Sequence, residues 1–552
     1  MSDYFDLGTY TRAVTTTSDQ AREWVRRGLL WAYAFNHDEA VACFEEAVQA
    51  DPGCALAYWG LAYALGPNYN KQWEMFEPDE ASSTIARAHA AVANAHQRAA
   101  GASGTEQALI MALSYRYPQG VPAQDWSVWN RAYADAMRTA YLDRPADPDI
   151  ATLFADALMN LTPWALWDTA TGQPAEGAAT VEARAVLEQA LASPGGRAHP
   201  GALHLYIHLM EMSPHPEDAL WAADLLRDLV PDGGHLLHMP THLDVLCGDY
   251  KQVVQSNEAA IRADERFVAA RGRMNFYTLY RAHNYHFKIY GAMFLGQSRV
   301  ALETADALAA AVPEGLLRVT VPPMADWLEG FVAMRVHVLL RFGRWQDLID
   351  EALPADPDLY RVTTAMLHYG KGVAFAATGQ VARARAQREL FSAAVDRVPE
   401  SRTIFNNTCQ SILQVASAML DGELEYRAGN VEEAFRQLRR AVELDDGLPY
   451  DEPWGWMQPA RHAYGALLLE QDRVREAEAV YRADLGLDAT LPRPCQHPGN
   501  VWSLHGYHEC LIRLGKHEQA VIIAQQLRVA LARTDVRIGA SCYCRPTAAA
   551  SG

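Results

Sequence analysis

The chain has 552 residues, 50 % hydrophobic and 21 % charged, with a formal net charge of −19, which is the composition of a folded protein with a large core. The acidic balance argues against nucleic acid or an anionic membrane surface as partner, because both are held by basic patches. No apolar run approaches the length of about 18 residues that spans a bilayer. The opening MSDYFDLGTYTRAV lacks the charged and apolar regions of a secretory signal, and eight scattered cysteines fit reduced thiols in a cytoplasmic protein.

The first clear element is AREWVRRGLLWAYAFNHDEAVACFEEAVQADP. Trp24, Gly28, Ala40, Phe44, Ala47 and Pro52 fall at positions 4, 8, 20, 24, 27 and 32 of the tetratricopeptide pattern. Gly and Ala let two antiparallel helices approach, the aromatics fill the gap, and Pro stops the second helix. Further helix pairs are predicted around Gly296, Ala301 and Ala305, then in LLRFGRWQDLIDEAL. Others follow around Gly422, Ala434 and Ala441, around Gly465, Ala477 and Tyr481, and loosely around Gly515 and Ala520. Segments GPNYNKQWEMFEPDE, NLTPWALWDTATGQPAEG and DDGLPYDEPWGWMQP interrupt the array. Ala is abundant and no Val, Ile or Thr runs alternate, so strands are not expected. The reading is an all-α, right-handed tetratricopeptide-like solenoid of about ten to twelve helix pairs. It has an arm over 1–18, a continuous array over 19–535 and a tail over 536–552.

The middle of the array carries the chemistry. GALHLYIHLMEMSPHPEDAL and HLLHMPTHLDVLCGDY are successive units whose first helices hold His204 and His208, then His238 and His242. Both separations are 34 residues, one repeat length. These residues occupy positions 5 and 9, with His235 at position 2. A third unit counted back from Gly296 puts His283 at position 2 and His286 at position 5. Positions 2, 5, 9 and 12 share one helix face. Glu211 lies on it, as does Asp156 if Pro148 corresponds to Pro200. Residues 204–286 hold eight of the nineteen histidines, where an even spread would give about three. Neutral imidazole is the commonest protein ligand for transition metals, and two His at i and i+4 can chelate one ion. The expected ligands are therefore His204, His208, His235, His238, His242, His283 and His286, with Asp156 as an oxygen donor. Nitrogen-rich ligation without a cysteine on that face favours copper, with iron and zinc as alternatives.

Several phrases, among them YAFNHDEA, YWGLAYALGPNYN, ALHLYIHLMEMSPHPEDAL, GHLLHMPTH, YRAHNYHF and PYDEPWGWMQPARHAYGALLLE, resemble a group of large tetratricopeptide-repeat proteins of bacteria and fungi. The resemblance covers nearly the whole chain. It implies the solenoid fold, with the first helix of each pair facing a concave groove, and shared histidine motifs. It implies no activity. Peptide-clamping grooves of the wider class use Lys, Arg and Asn at positions 2, 5 and 9, where this chain has His.

The expected function is a metalloenzyme, foremost a copper- or iron-dependent oxidase or oxygenase on a small metabolite. Trp59, Tyr63, Trp164, Trp167, Tyr206, Tyr277, Tyr280 and Tyr290 would flank its chamber. Glu211, Arg281 and Tyr290 are the candidate catalytic residues: Glu211 as a base and Arg281 as partner to a substrate carboxylate. A zinc hydrolase with metal-activated water is one alternative. A non-catalytic scaffold binding a protein partner is the other, because most such arrays bind proteins. A second group, His462, His497, His505 and His508, reads as structural, as do His37 and Asn70.

Overall fold

The computed structural model describes residues 4–545. It divides into two compact units, Met1–Leu243 with Ala259–Gly272, and Asp244–Glu258 with Arg273–Gly552. Both are built of successive antiparallel helix pairs, so the fold is all-α and tetratricopeptide-like. The strands among the described residues are two hairpins of two residues per strand, Trp167–Asp168 with Gln173–Pro174 and Thr403–Ile404 with Asn407–Thr408.

The first unit begins with α1 (Asp19–Tyr33), α2 (His37–Ala50), α3 (Ala55–Leu65), α4 (Pro78–Arg98), α5 (Gly104–Ser114) and α6 (Trp126–Asp143). It continues with α7 (Pro148–Met159), α8 (Thr180–Ala192), α9 (Pro200–Glu211), α10 (Leu220–Leu226) and α11 (Gly234–His238). Helices α12 (Pro240–Cys247) and α13 (Tyr250–Arg271) follow, each contributing residues to both units. Local chemistry sets the starts. Ser18 accepts from the Ala21 amide at 3.1 Å, and Ser103 and Glu106 form a reciprocal capping box. The pairing follows the expected spacing: a Cβ on Gly28 would meet the Phe44 ring at 2.7 Å, and one on Gly60 would meet it at 2.1 Å. One phenyl ring thus sits where α1, α2 and α3 can all approach it only because two side chains are missing. The single helix expected to carry His235, His238 and His242 is instead two, α11 and α12. Pro240 opens the second, and a proline has no amide to continue the hydrogen-bond ladder.

The second unit contains α14 (Thr278–Leu295), α15 (Ser298–Ala311), α16 (Glu314–Leu317), α17 (Met324–Val332), α18 (Met334–Arg341) and α19 (Trp345–Asp350). It goes on through α20 (Arg361–Ala377), α21 (Val381–Val395), α22 (Cys409–Arg427), α23 (Val431–Asp446), α24 (Ala460–Glu470), α25 (Val474–Asp484), α26 (Val501–Arg513) and α27 (His517–Leu531). The glycine–aromatic joint recurs: Cβ atoms on Gly465 and Gly506 would strike the Tyr481 ring at 2.6 and 2.3 Å.

The first and last described segments are tied down. In the first unit Arg12 pairs with Asp149 at 3.1 Å, and Tyr33 donates to the same carboxylate at 2.5 Å. In the second, residues 533–545 run back over the helices. Asp535 caps the first amides of α15, Arg341 donates to the Ser541 carbonyl, and Arg427 donates to the Cys544 carbonyl. Arg545 grips Glu509 through both guanidinium arms at 2.7 and 2.9 Å. Cys542 and Cys544 are joined by a disulfide, and the other six cysteines are not disulfide-bonded. The expectation of eight reduced thiols is corrected at this pair, where a separation of two residues and a shared turn bring the sulfurs together.

Candidate metal centre

Helix α9 starts where His199 accepts from the Ala202 amide at 3.1 Å and Pro200 takes the first helical position. That start sets the phase of His204, His208 and Glu211, which are all fully buried. His204 Nδ1 lies 2.6 Å from the carbonyl of Tyr33, the last residue of α1. A carbonyl can only accept, so this nitrogen carries the proton and the Nε2 lone pair is left available. His208 Nδ1 stands 2.9 Å from Glu211 Oε1 and is likewise the protonated nitrogen. Its Nε2 is buried without a hydrogen-bond partner.

His235, from α11, brings its Nε2 to 3.1 Å from that of His204. One ring nitrogen from each of His204, His208 and His235 lies within 4.8 Å of the others. Nitrogens bound tetrahedrally at about 2.0–2.1 Å from an ion are about 3.3 Å apart, so the His204–His235 pair already stands at ligand spacing. Burial pushes all three imidazoles well below the usual histidine range, and repulsion from neighbouring histidines, His242 included, acts in the same direction. They are neutral, which is the state that donates a lone pair.

Glu211 joins this trio to a second pair. Its Oε2 lies 2.8 Å from His242 Nδ1, while Oε1 holds His208. His242 Nε2 then faces His238 Nε2 at 2.9 Å. A carboxylate that fixes two imidazoles through their Nδ1 atoms is the usual way in which outer groups orient metal-binding histidines.

Aromatic rings wall the trio. Phe35 packs on His204, His208 and His235 with centroids 4.4, 5.7 and 5.6 Å away. Tyr69 and Trp164 pack on His208 at 5.0 and 5.9 Å. Phe35 and Trp164 have φ of 56° and 58°, a left-handed backbone that costs a bulky residue about 1–2 kcal/mol. Backbone strain of this kind is retained where packing demands it, and it concentrates at functional sites. Of the aromatics expected at the chamber, Trp164 touches the histidines. Trp59 stacks on Tyr63, Trp167 donates to the Leu209 carbonyl, and Tyr206 donates to Glu188. Phe35 and Tyr69 were not anticipated. Their only sequence signal is their place beside the turns FNHDEA and GPNYN.

Asp156 is buried in the same unit within another network: it accepts from Tyr63 at 3.1 Å and from the Asn160 amide at 2.9 Å. Burial raises its pKa, against the influence of Arg116.

The remaining candidates belong to the second unit. His286 Nε2 lies 2.8 Å from the sulfur of Met457, with its ring edge-on to Phe331. His283 packs edge-on against Phe405 at 4.6 Å, and Phe405 is also left-handed, with φ of 47°. Arg281 and Tyr290 are buried on the same helix α14, with Tyr290 packed on Phe294. His462 and His497 both bind Asp484, at 3.0 and 2.9 Å, and Asn500 and Ser503 donate to the same carboxylate. Four side-chain donors thus fill the acceptor positions of that carboxylate, and the His497 amide donates to the Asp484 backbone carbonyl.

No protein-family model matches the chain, and no curated protein matches it in sequence. Among solved structures it is similar to the "Structure of Naa15/Naa10 bound to HypK-THB", at 14 % identity over 92 % of this chain and 70 % of that one, with a TM-score of 0.23. It is also similar to the "Crystal structure of APC/C hetero-tetramer Cut9-Hcn1", at 12 % identity over 94 % and 88 % of the two chains, with a TM-score of 0.28. Superpositions this loose carry no functional argument.

Proposed function

We propose that the first unit is a metal-binding module, with one transition-metal ion held by His204, His208 and His235. The convergence of three buried, neutral imidazoles supports this reading. Two of their Nδ1–H groups are spent on fixed acceptors, which leaves the Nε2 lone pairs of His204 and His208 to serve as ligands. His242, beside Glu211, and His238, which faces it, are the candidate ligands of a second ion. His283, His286 and Asp156 are further candidates, for which binding is to be measured. Copper is the favoured ion, with iron and zinc next. On this reading the chain belongs to the bacterial and fungal group of tetratricopeptide-repeat proteins with paired-histidine helices. A bound copper or iron would make it an oxidase or oxygenase on a small metabolite, with Arg281 and Tyr290 as candidate substrate contacts; a bound zinc would favour hydrolysis.

A second reading is a scaffold that binds a protein partner. The architecture of stacked helix pairs favours it, because such arrays present extended surfaces and need no bound ion to do so.

Elemental analysis of untagged protein, before and after reconstitution, separates the two. Retained metal that is lost in His204→Ala/His208→Ala with helicity intact is the expected result. A protein that takes up no ion leaves the scaffold.

A further inference from the structure

Two buried histidines of the second unit leave ring nitrogens unmatched. His286 is 1 % exposed and His337 is 2 % exposed, and Nδ1 of each has no hydrogen-bond partner among the described residues. The buried histidines that serve the fold are used differently. His199 sits between Asp149 and the Ala202 amide, and His462 sits between Asp484 and Arg341. A buried polar atom left unmatched costs free energy, and native proteins rarely keep one without a use.

What His286 does meet is sulfur. Its Nε2 lies 2.8 Å from the thioether of Met457, a fully buried residue 171 positions further along the chain. A thioether is a weak hydrogen-bond acceptor. With the proton on Nε2, the ring aims it at that weak acceptor and leaves the Nδ1 lone pair unused. With the proton on Nδ1, the nitrogen and sulfur lone pairs face one another. A cation shared by the two atoms turns that opposition into two bonds.

Aromatic rings close the place off. Phe331 stands edge-on to His286 at 5.2 Å, and His337 stands edge-on to Trp456, the residue before Met457, at 4.8 Å. Burial brings both imidazoles down to about 3, and His337 adds to the effect on His286, so both rings are neutral lone-pair donors. Soft thioether ligands suit copper(I). Among neutral ligands a single positive charge also costs less to bury than the double charge of zinc or iron. Bonds of about 2.0 Å to nitrogen and about 2.3 Å to sulfur, met tetrahedrally, set the two atoms about 3.5 Å apart. The unbranched methionine side chain supplies the remaining movement of roughly 0.7 Å by turning about its own bonds.

We propose that His286 Nε2 and Met457 Sδ hold a copper(I) ion in the second unit, with His337 as the candidate third ligand. The site differs from the histidine trio of the first unit in its sulfur ligand and in the oxidation state it selects, and it does not depend on that trio.

The test uses full-length protein carrying His204→Ala/His208→Ala and Cys542→Ser/Cys544→Ser, so that neither the trio nor a reduced cysteine pair competes. Copper(I) is titrated anaerobically against a chromogenic chelator, with zinc(II) and copper(II) as controls. The expected result is a copper(I) ion held by each chain, with a sulfur neighbour at about 2.3 Å in X-ray absorption. Met457→Leu conserves volume and removes the sulfur, so it should fold, lose the ion and lose the sulfur signal. If that variant does not fold, His286→Gln decides by the same loss of the ion. Absence of copper(I) uptake in the starting protein overturns the proposal, as does uptake that Met457→Leu leaves unchanged. A bound copper without a sulfur neighbour, or zinc(II) held in preference to copper(I), would also overturn it. The trio is disabled throughout, so either metal site can fail without the other.

Discussion

Glu211 Oε1 receives His208 Nδ1 at 2.9 Å from three residues earlier on the same helix, and its other oxygen stands 2.8 Å from His242 Nδ1. Replacing it tests how much of the metal site is orientation. Glu211→Gln keeps the shape but can offer only one acceptor, so one imidazole loses its tether. Metal affinity is expected to fall about 10–100-fold with helicity unchanged. Unchanged affinity in a competition titration would mean that the carboxylate holds the helices together and does nothing for an ion.

Phe35 offers a direct reading of stored strain. Phe35→Ala removes a buried ring and is expected to cost about 3–5 kcal/mol in urea melts. Phe35→Gly removes the same ring and also frees the φ of 56°, so it should be more stable than the alanine variant by about 1–2 kcal/mol. Equal losses would place no strain at this turn.

The joint at Phe44 predicts non-additivity. A methyl on Gly60 would lie 2.1 Å from the ring, so Gly60→Ala should destabilise by several kcal/mol, on the order of a core overpacking. In the background of Phe44→Leu the same change should cost much less, and a double-mutant cycle measures the coupling. Simple addition of the two losses would show that α1–α3 part without difficulty.

His337, packed edge-on to Trp456 in the second unit, has its pKa lowered by burial to about 3. The unfolded chain therefore takes up a proton near pH 6.5, before the folded chain does. This histidine's contribution is complete above that value and declines as pH falls from about 6.5 towards about 3. Between pH 7 and 4.5, His337→Gln should lose about 2–3 kcal/mol less stability than the parent in urea melts. Parallel losses in the two proteins would mean that the ring reaches water.

What could be read from the amino-acid order is what short-range geometry controls. The Gly and aromatic spacing of a helix pair is local, so Gly28, Phe44, Gly465 and Tyr481 were found in register. The 34-residue recurrence put His204 and His208 on one face together with Glu211. Where the reading stopped, long-range or irregular backbone was in charge. Phe35 and Trp164 reach the histidines only through left-handed turns, which no periodicity reports. Pro240 split a helix inside a pattern that otherwise ran on. Asp484 collects His462 and His497 from two other stretches, a convergence visible only after folding.

The segment at the end of the second unit changes how that unit should come apart. A stack of helix pairs touches only its neighbours and tends to fray from its ends, repeat by repeat. Here Asp535 fastens to α15, the Ser541 carbonyl to Arg341 of α18, the Cys544 carbonyl to Arg427 of α22, and Arg545 to Glu509 of α26. A single strand laced through helices more than 200 residues apart in sequence makes the last repeats hostage to the first, so melting proceeds as one step.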